Sequence, residues 1–337
     1  MIYETMLPVL KSSTVIKKFD KNPVLSSDMI PYPSELVFNA GVAKWNGKYI
    51  MIFRNDFDYV SGSLFNGCNL GLALSDDGIE WDVKSKPFFT LDMINDSEVT
   101  RVYDPRLTVI DNELFVCFAM DTHHGIRGGI GKIRTDLSGI DIISLSTPDN
   151  RNMVLFPEKI DGMYVRLERP FTVYSRGGKD RFDIWISKSP DLKFWGESEL
   201  LLAVEDVPFA NDKIGPAAPP IKTEQGWLTL FHAVDIDFNR GKYGWEDKWQ
   251  KRYTAGIMLL DLNNPSKILG MSKTPLIAPE ELYETQDGFR TNVIFPGGFL
   301  LENDGTAKIY YGASDTYECL ATANISDLIS LCTQPRK

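Results

Sequence analysis

Apolar and polar positions along the chain fall into five similar stretches. They are NGKYIMIFRND (46–56), DNELFVCFAMD (111–121), DGMYVRLERP (161–170), EQGWLTLFHAVD (224–235) and DGTAKIYYGASD (304–315). Each opens on a turn-forming pair such as Asn-Gly or Asp-Gly and continues as an alternating aromatic-aliphatic strand. A strand precedes each one: FNAGVAKW, DPRLTVI, NMVLFPEKI, GPAAPPIKT and NVIFPGGFLLE. A third strand follows: NLGLALSDDGIEW, GGIGKIRTDLSGI, RFDIWISKSPDLKFW, YTAGIMLLDLNNPSKI and YECLATANISDLI. Units of three or more strands, recurring every ~50 to 80 residues, predict an all-β fold, a five-bladed β-propeller with a central active-site funnel. A β-sandwich is the alternative, but sandwiches carry short strands without so long a repeat. Residues 1–337 read as one domain, and Met1 to Lys21, which match no unit, are expected to close the ring or meet another subunit.

In an antiparallel hairpin, the start of the first strand and the end of the second lie at one edge. The residues at that edge are unusual for strand ends. The first unit offers Asn39 with Arg54, Asn55 and Asp56, and the second Asp104 and Arg106 with Asp121. The third offers Arg151 and Asn152 with Arg169, the fourth Lys213 with His232, and the fifth Asn292 with Asp315. Acids, bases and amides from five units thus aim at one mouth, while the other edge carries ordinary turn residues. A single polar pocket is predicted.

Charge sharpens that picture. The chain carries a net −10 and no basic run, which argues against a nucleic-acid partner, so an anionic substrate would need cations gathered locally. No apolar run approaches the ~18 residues of a membrane helix, and the start MIYETMLPVL lacks the pattern of a signal peptide. Four scattered cysteines (Cys68, Cys117, Cys319, Cys332) suggest a reducing compartment without a disulfide frame, and a cytoplasmic protein is expected.

At these edge residues the sequence resembles glycoside hydrolase family 130, the β-mannoside phosphorylases and related β-mannosidases, which are five-bladed propellers. The resemblance rests on VFNAGV, FRND, YDPR, NRNMVLFPEKIDG, ERP, KIGPAAPP, LFHAV, ASD, ELYET and NVIFP, which span nearly the whole chain in the family's order. It implies that Asp104 of YDPR is the catalytic acid, acting directly or through the 3-hydroxyl of the bound mannosyl unit. It also implies that Arg151, Arg169, Lys213 and His232 bind phosphate. Two segments depart from the family: FTVYSRGGKDRFDI stands where oligosaccharide-type members have GHTPFGDI, and DIDFNRGKYGWEDKWQKRY after His232 is longer and more charged than usual. Both are expected to border the leaving-sugar subsite.

The residues can support that chemistry. Inversion at a glycosidic carbon needs an acid for the leaving oxygen and a nucleophile on the opposite face. Water would need a second carboxylate as base; phosphate needs none, only cations to hold it in line. The expectation is therefore an inverting phosphorylase of short β-mannosides, leaning to β-1,2-mannobiose, that gives α-mannose 1-phosphate. β-1,4-Mannosyl-glucose or β-1,4-mannooligosaccharide phosphorolysis is the nearest alternative. A β-mannosidase using Glu168, Glu281 or Glu284 as base, and a non-catalytic sugar-binding propeller, are further ones. Asn39, Arg54, Asn55, Asp56, Arg106, His124, Tyr243 and Asp315 are expected to contact the sugar, although Arg106 could equally buttress Asp104. No metal or organic cofactor is expected: His123-His124 lack a third ligand at metal-like spacing, and Gly128, Gly129 and Gly131 lack the third glycine of a dinucleotide loop. Trp245 and Trp249 fall at helical i, i+4 spacing, suited to sugar stacking, packing or a subunit contact.

Overall fold

The computed structural model describes residues 10–172, 182–236, 244–246 and 249–333. Among these the chain is nearly all β. A short strand near the start, β1 (Lys17–Lys18), is followed by five groups of antiparallel strands. The first group is β2 (Leu36–Trp45), β3 (Lys48–Ser61), β4 (Leu64–Ser75) and β5 (Asp82–Val83). The second is β6 (Val99–Ile110), β7 (Glu113–Thr122), β8 (Gly125–Ile133) and β9 (Ile140–Leu145), and the third β10 (Asn150–Leu155), β11 (Tyr164–Pro170), β12 (Ile184–Ser189) and β13 (Gly196–Leu202). The fourth is β14 (Lys213–Pro216), β15 (Ile221–Thr223), β16 (Gly226–Ile236), β17 (Lys251–Leu260) and β18 (Ile268–Met271). The fifth is β19 (Ile294–Leu301), β20 (Thr306–Ala313) and β21 (Tyr317–Asn324), with β1 on its outer edge, where Lys17 and Lys18 pair with Thr322 and Ala321. A single parallel pair, Gly298 with Val42, joins the fifth group to the first, so these two form one eight-stranded sheet and no sheet closes on itself.

The cores lie between neighbouring groups. Ile52 and Leu72 pack with Val116 and Phe118; Phe115 and Cys117 with Met153 and Leu155; Val165 and Leu167 with Trp227 and Phe231. Leu230 and Ile257 pack with Ile309 and Tyr311, and Met51 and Phe53 with Tyr310 and Leu320, which brings the fifth group back to the first. Each fully buried large side chain contributes about 1.5–3 kcal/mol, so the group boundaries hold the molecule together. The four cysteines are buried free thiols inside these layers.

Among the described residues two α-helices interrupt the pattern. ISDLI, read from sequence as the end of a strand, begins α2 (Ile325–Thr333), because Asn324 Oδ1 accepts from the Ser326 N–H at 2.9 Å and caps the turn. ELYET forms α1 (Leu282–Thr285), whose capping box joins Glu281 and Glu284. Residues 244–246 and 249–250 form no helix, so Trp245 and Trp249 do not share a helical face. No helix among the described residues is long and apolar enough to cross a membrane.

One local device recurs where the groups converge. In the first strand of three groups two residues stand opposite one on the partner strand, at Asn39–Ala40, Asp104–Pro105 and Asn152–Met153. Asn39, Asp104 and Asn152 adopt φ of 52°, 52° and 58°, and Asn292, just before β19, adopts 63°. Asn and Asp tolerate this left-handed backbone better than other residues with a Cβ. A bulge re-aims the bulged side chain and turns the strand end. Asn and Asp at these positions are thus explained by backbone geometry as well as by chemistry.

Candidate active site

A polar cavity of about 230 Å³ opens where the five groups meet. Asp104 lies in its wall, 8% exposed. Its Oδ1 accepts from Asn39 Nδ2 at 2.9 Å and from Arg54 Nη1 at 3.4 Å. Burial pushes its pKa up, but Arg54, Arg151 and Arg106 together hold it below the usual carboxylate range. Arg54 is itself held by Asp56, with Nη2 at 2.6 Å from Oδ2, and Arg101 Nη2 reaches the same oxygen at 2.8 Å. Asp56 lines the cavity, yet its oxygens are committed to two arginines. Across the cavity Asp315 accepts from Arg290 Nη1 at 3.2 Å, and burial raises its pKa despite that partner.

The predicted phosphate ligands gather on another side. Arg151 and Arg169 face each other across β10 and β11, and therefore share one face of that sheet. Arg151 lines the cavity; Arg169, Lys213 and His232 sit behind Tyr253, which does. The His232 ring stacks on Tyr253 at 6.0 Å between centroids, and the Lys213 ammonium is 5.4 Å from the same ring. Arg169 Nη1 lies 3.0 Å from His232 Nε2. An arginine can only donate, so Nε2 accepts, and the imidazole is neutral with its proton on Nδ1. Burial, Arg169 and Lys213 push the histidine pKa well below its ordinary value, in keeping with that assignment. Burial, then the neighbouring Arg151, brings Arg169 down to about 9. Burial, Arg169 and Lys251 depress Lys213 strongly. Among the described residues, Asp212 is the carboxylate whose charge reaches both Arg169 and Lys213, and it is 3.0 Å from Lys251.

Gly215 makes room for this group. A Cβ there would lie 2.4 Å from His232 Cε1, 2.7 Å from its Nε2 and 3.1 Å from Arg169 Cδ. The glycine of KIGP is thus required by the pair it faces.

Several expected sugar contacts fall elsewhere. Asn55 is fully buried and donates to the Pro33 carbonyl at 2.9 Å and to Asn69 Oδ1 at 3.1 Å, because strand alternation turns it away from the face of Arg54 and Asp56. Arg106 does not line the cavity. It donates to the carbonyls of Ala217 at 2.7 Å, Pro105 at 2.8 Å and Asn39 at 3.4 Å and lies over Phe295, so it ties four groups together beneath the site. His124 is exposed at the tip between β7 and β8, 2.8 Å from Glu98, and does not line the cavity either. Tyr243 lies outside the described residues. The three glutamates considered as bases are not in the cavity wall. Glu168 accepts from Asn150 at 2.6 Å and Ser187 at 2.7 Å beside Arg166; Glu284 is paired with Lys18 at 2.6 Å; Glu281 caps α1. No group of three His, Cys, Asp or Glu side chains placed to hold a metal occurs among the described residues.

The cavity also uses residues that the edge argument missed: Arg101, Tyr103, Tyr253, Phe289 and Arg290, while Trp249 of the long segment after His232 reaches it as well. Arg101 and Tyr103 could have been found, since they stand at period two before the bulge. Arg290 sits in an irregular turn that no periodicity marks.

The family profile described as beta-1,4-mannooligosaccharide phosphorylase, glycoside hydrolase family 130, matches residues 8–334. The chain belongs to glycoside hydrolase family 130. It is 28% identical to a beta-1,2-mannobiose phosphorylase of Listeria innocua, over 93% of this chain and 97% of that one. It is 32% identical to a beta-1,4-mannooligosaccharide phosphorylase of Ruminococcus albus, over 94% and 90% respectively. Among solved structures, the Listeria innocua beta-1,2-mannobiose phosphorylase in complex with beta-1,2-mannobiose superposes with a TM-score of 0.80 at 26% identity, covering 94% of this chain and 98% of that one. Family membership accounts for the motif order YDPR, NRN, ERP, KIG read in the sequence.

Proposed function

We propose that this family 130 member is an inverting phosphorylase of short β-mannosides, with β-1,2-mannobiose favoured among disaccharides by its linkage, and that its five strand groups are the blades of a propeller. The contacts that run from each group to the next, and from the fifth to the first, support the propeller reading. The observation that carries the function is the cluster of Arg169, Lys213 and the neutral His232 beside Tyr253 of the cavity wall, where, among the described residues, the carboxylate that reaches both cations is Asp212, itself paired with Lys251. Such a cluster suits an anion and serves no purpose for water. The glutamates that could activate water are engaged in structural contacts.

In the proposed reaction a phosphate oxygen forms a bond to the anomeric carbon while the glycosidic bond breaks, and Asp104 supplies the proton that the leaving oxygen takes, directly or through the sugar's 3-hydroxyl. Asp104 must then be protonated. In the free protein three arginines hold it ionised, but a phosphate beside Arg151 offsets their charge and raises its pKa. Phosphate binding would in this way prepare the acid. Phosphate is a co-substrate, and the proposed reaction asks for no metal or organic cofactor.

Incubation with β-1,2-mannobiose, with and without phosphate, tests the proposal. Release of α-mannose 1-phosphate only when phosphate is present is expected; equal release of free mannose in both cases would overturn it. The reverse reaction with α-mannose 1-phosphate and a panel of acceptors, read by NMR, gives the linkage formed.

A further inference from the structure

Two aromatic rings face solvent where the long hairpin of β3 and β4 meets residues 244–246. Tyr59 is 37% exposed and Trp245 45%, and their centroids are 5.5 Å apart. Each rests on a buried ring of the cavity wall: Tyr59 on Phe65 at 5.1 Å, and Trp245 on Phe289 at 6.0 Å. The path inward is continuous, since Ser63 at the hairpin tip also lines the cavity. Trp245 is held in place through its backbone, whose N–H donates to the Phe289 carbonyl at 3.1 Å, and the adjacent Glu246 pairs with Arg290, which holds Asp315. Tyr59 is fixed in turn by the bond from its N–H to Glu35 Oε2 at 3.0 Å.

The position of the rings relative to the cations decides what they would meet. In an in-line displacement, the nucleophile and the leaving group lie on opposite faces of the reacting carbon. Arg169, Lys213 and His232 belong to the third and fourth strand groups, whereas Tyr59 and Phe65 belong to the first; Trp245, on the connection between β16 and β17 of the fourth group, is brought by its backbone bond to Phe289 at the approach to the fifth. An anion on the cation side directs the leaving sugar toward the rings. A pyranose has an apolar C–H face and a polar rim, and a ring carrying no charge suits that face.

We propose that Tyr59 and Trp245 form a platform for a second sugar on the leaving-group side, so that the enzyme handles β-mannosides longer than a disaccharide. This inference rests on the phosphorylase reading and adds a chain-length preference to it.

The test compares β-linked mannobiose with mannotriose of the same linkage, in both the β-1,2 and β-1,4 series. Phosphorolysis is read as α-mannose 1-phosphate release, and binding is read separately by calorimetry without phosphate. In the wild type, kcat/KM for the trisaccharide is expected to exceed that for the disaccharide by about three- to tenfold, the scale of one aromatic contact. That ratio should fall to near one in Trp245→Ala and Tyr59→Ala and recover in Trp245→Phe and Tyr59→Phe. The same ratio in wild type and alanine variants would overturn the platform while leaving phosphorolysis intact. Length-dependent binding without any phosphorolysis would instead overturn the phosphorylase reading and keep the platform. Light scattering that shows a dimer in the wild type, lost in both alanine variants with no change in the ratio, would assign the rings to a second copy of the chain and overturn the proposal.

Discussion

Two sides of the cavity, one its own wall and the other the layer behind Tyr253, handle charge in opposite ways. On the Asp104 wall, built from the first, second and fifth strand groups, each carboxylate has a cationic or hydrogen-bonding partner: Asp104 with Arg54 and Asn39, Asp56 with Arg54 and Arg101, Asp121 with the Tyr103 hydroxyl at 2.6 Å and Asp315 with Arg290. On the side of the third and fourth groups, Arg169 and Lys213 lie behind Tyr253; among the described residues the carboxylate that reaches both is Asp212, which pairs with Lys251, and the neutral His232 accepts from Arg169. The first side is electrostatically complete as folded. The second holds buried positive charge at a cost in stability that a bound anion would repay. Completeness marks the side that positions and protonates, and deficit marks the side that binds.

The contrast can be tested most severely through Asp104. Asp104→Asn should lower phosphorolysis by about 10²- to 10⁴-fold, the range of a general acid, with a thermal midpoint close to the wild type. A loss of less than about tenfold would move the proton donor elsewhere. Stability then separates the two sides. Arg54→Met leaves Asp56 and Asp104 short of charge and should cost about 3–5 kcal/mol in denaturant unfolding, as for a broken buried pair. Arg169→Met removes repulsion and should leave the ligand-free protein as stable or more so, while raising KM for phosphate well above that for the disaccharide. If both arginine variants destabilise alike, the sides do not differ as described.

Phosphate itself should act on one side only. At ~100 times its dissociation constant, phosphate should stabilise the wild type by about 2.7 kcal/mol, and the gain should vanish in Arg169→Met and Lys213→Met. The pH dependence has a definite sign. The Lys213 pKa is depressed in the free protein, so an adjacent anion moves it back up toward the usual lysine range. Phosphate binding between the depressed and the ordinary lysine pKa should therefore take up protons, seen as binding heats that change with buffer ionisation enthalpy, and Lys213→Met should abolish most of the uptake. Burial and Arg151 bring Arg169 down to about 9, so phosphate affinity should fall as pH rises through that value. The smallest change is Gly215→Ala. Its methyl would strike His232 Cε1 at 2.4 Å and displace the Arg169 support, raising KM for phosphate more than KM for sugar. Equal rises would show that the pair has no special part in holding the anion.

Much of this was legible in the chain. Alternation and turn pairs marked the strand groups, and hairpin geometry brought Asn39, Arg54, Asp56, Asp104, Asp121, Arg151 and Asp315 to one cavity, while Arg169, Lys213 and His232, assigned to the same mouth, do not line it. The same argument put Asn55 and Arg106 at that mouth, where neither lines the cavity: an edge position does not say which face a side chain takes or how far it reaches. Asn55 lies on the other face, Arg106 turns down to backbone carbonyls, and His124 stands beyond the rim. Arg290 and Phe289 were missed because an irregular turn delivers them, and ISDLI was misread because a cap at Asn324 outweighed the apolar run.

By itself the sequence determined what is local and periodic: where strands alternate, where hairpins turn, and which left-handed positions call for Asn or Asp. Only the tertiary structure decided which charges are answered and which are not. Partnering across strand groups far apart in the chain depends on distances and burial that residue order does not contain, and the imbalance between the two sides is a sum over those distances.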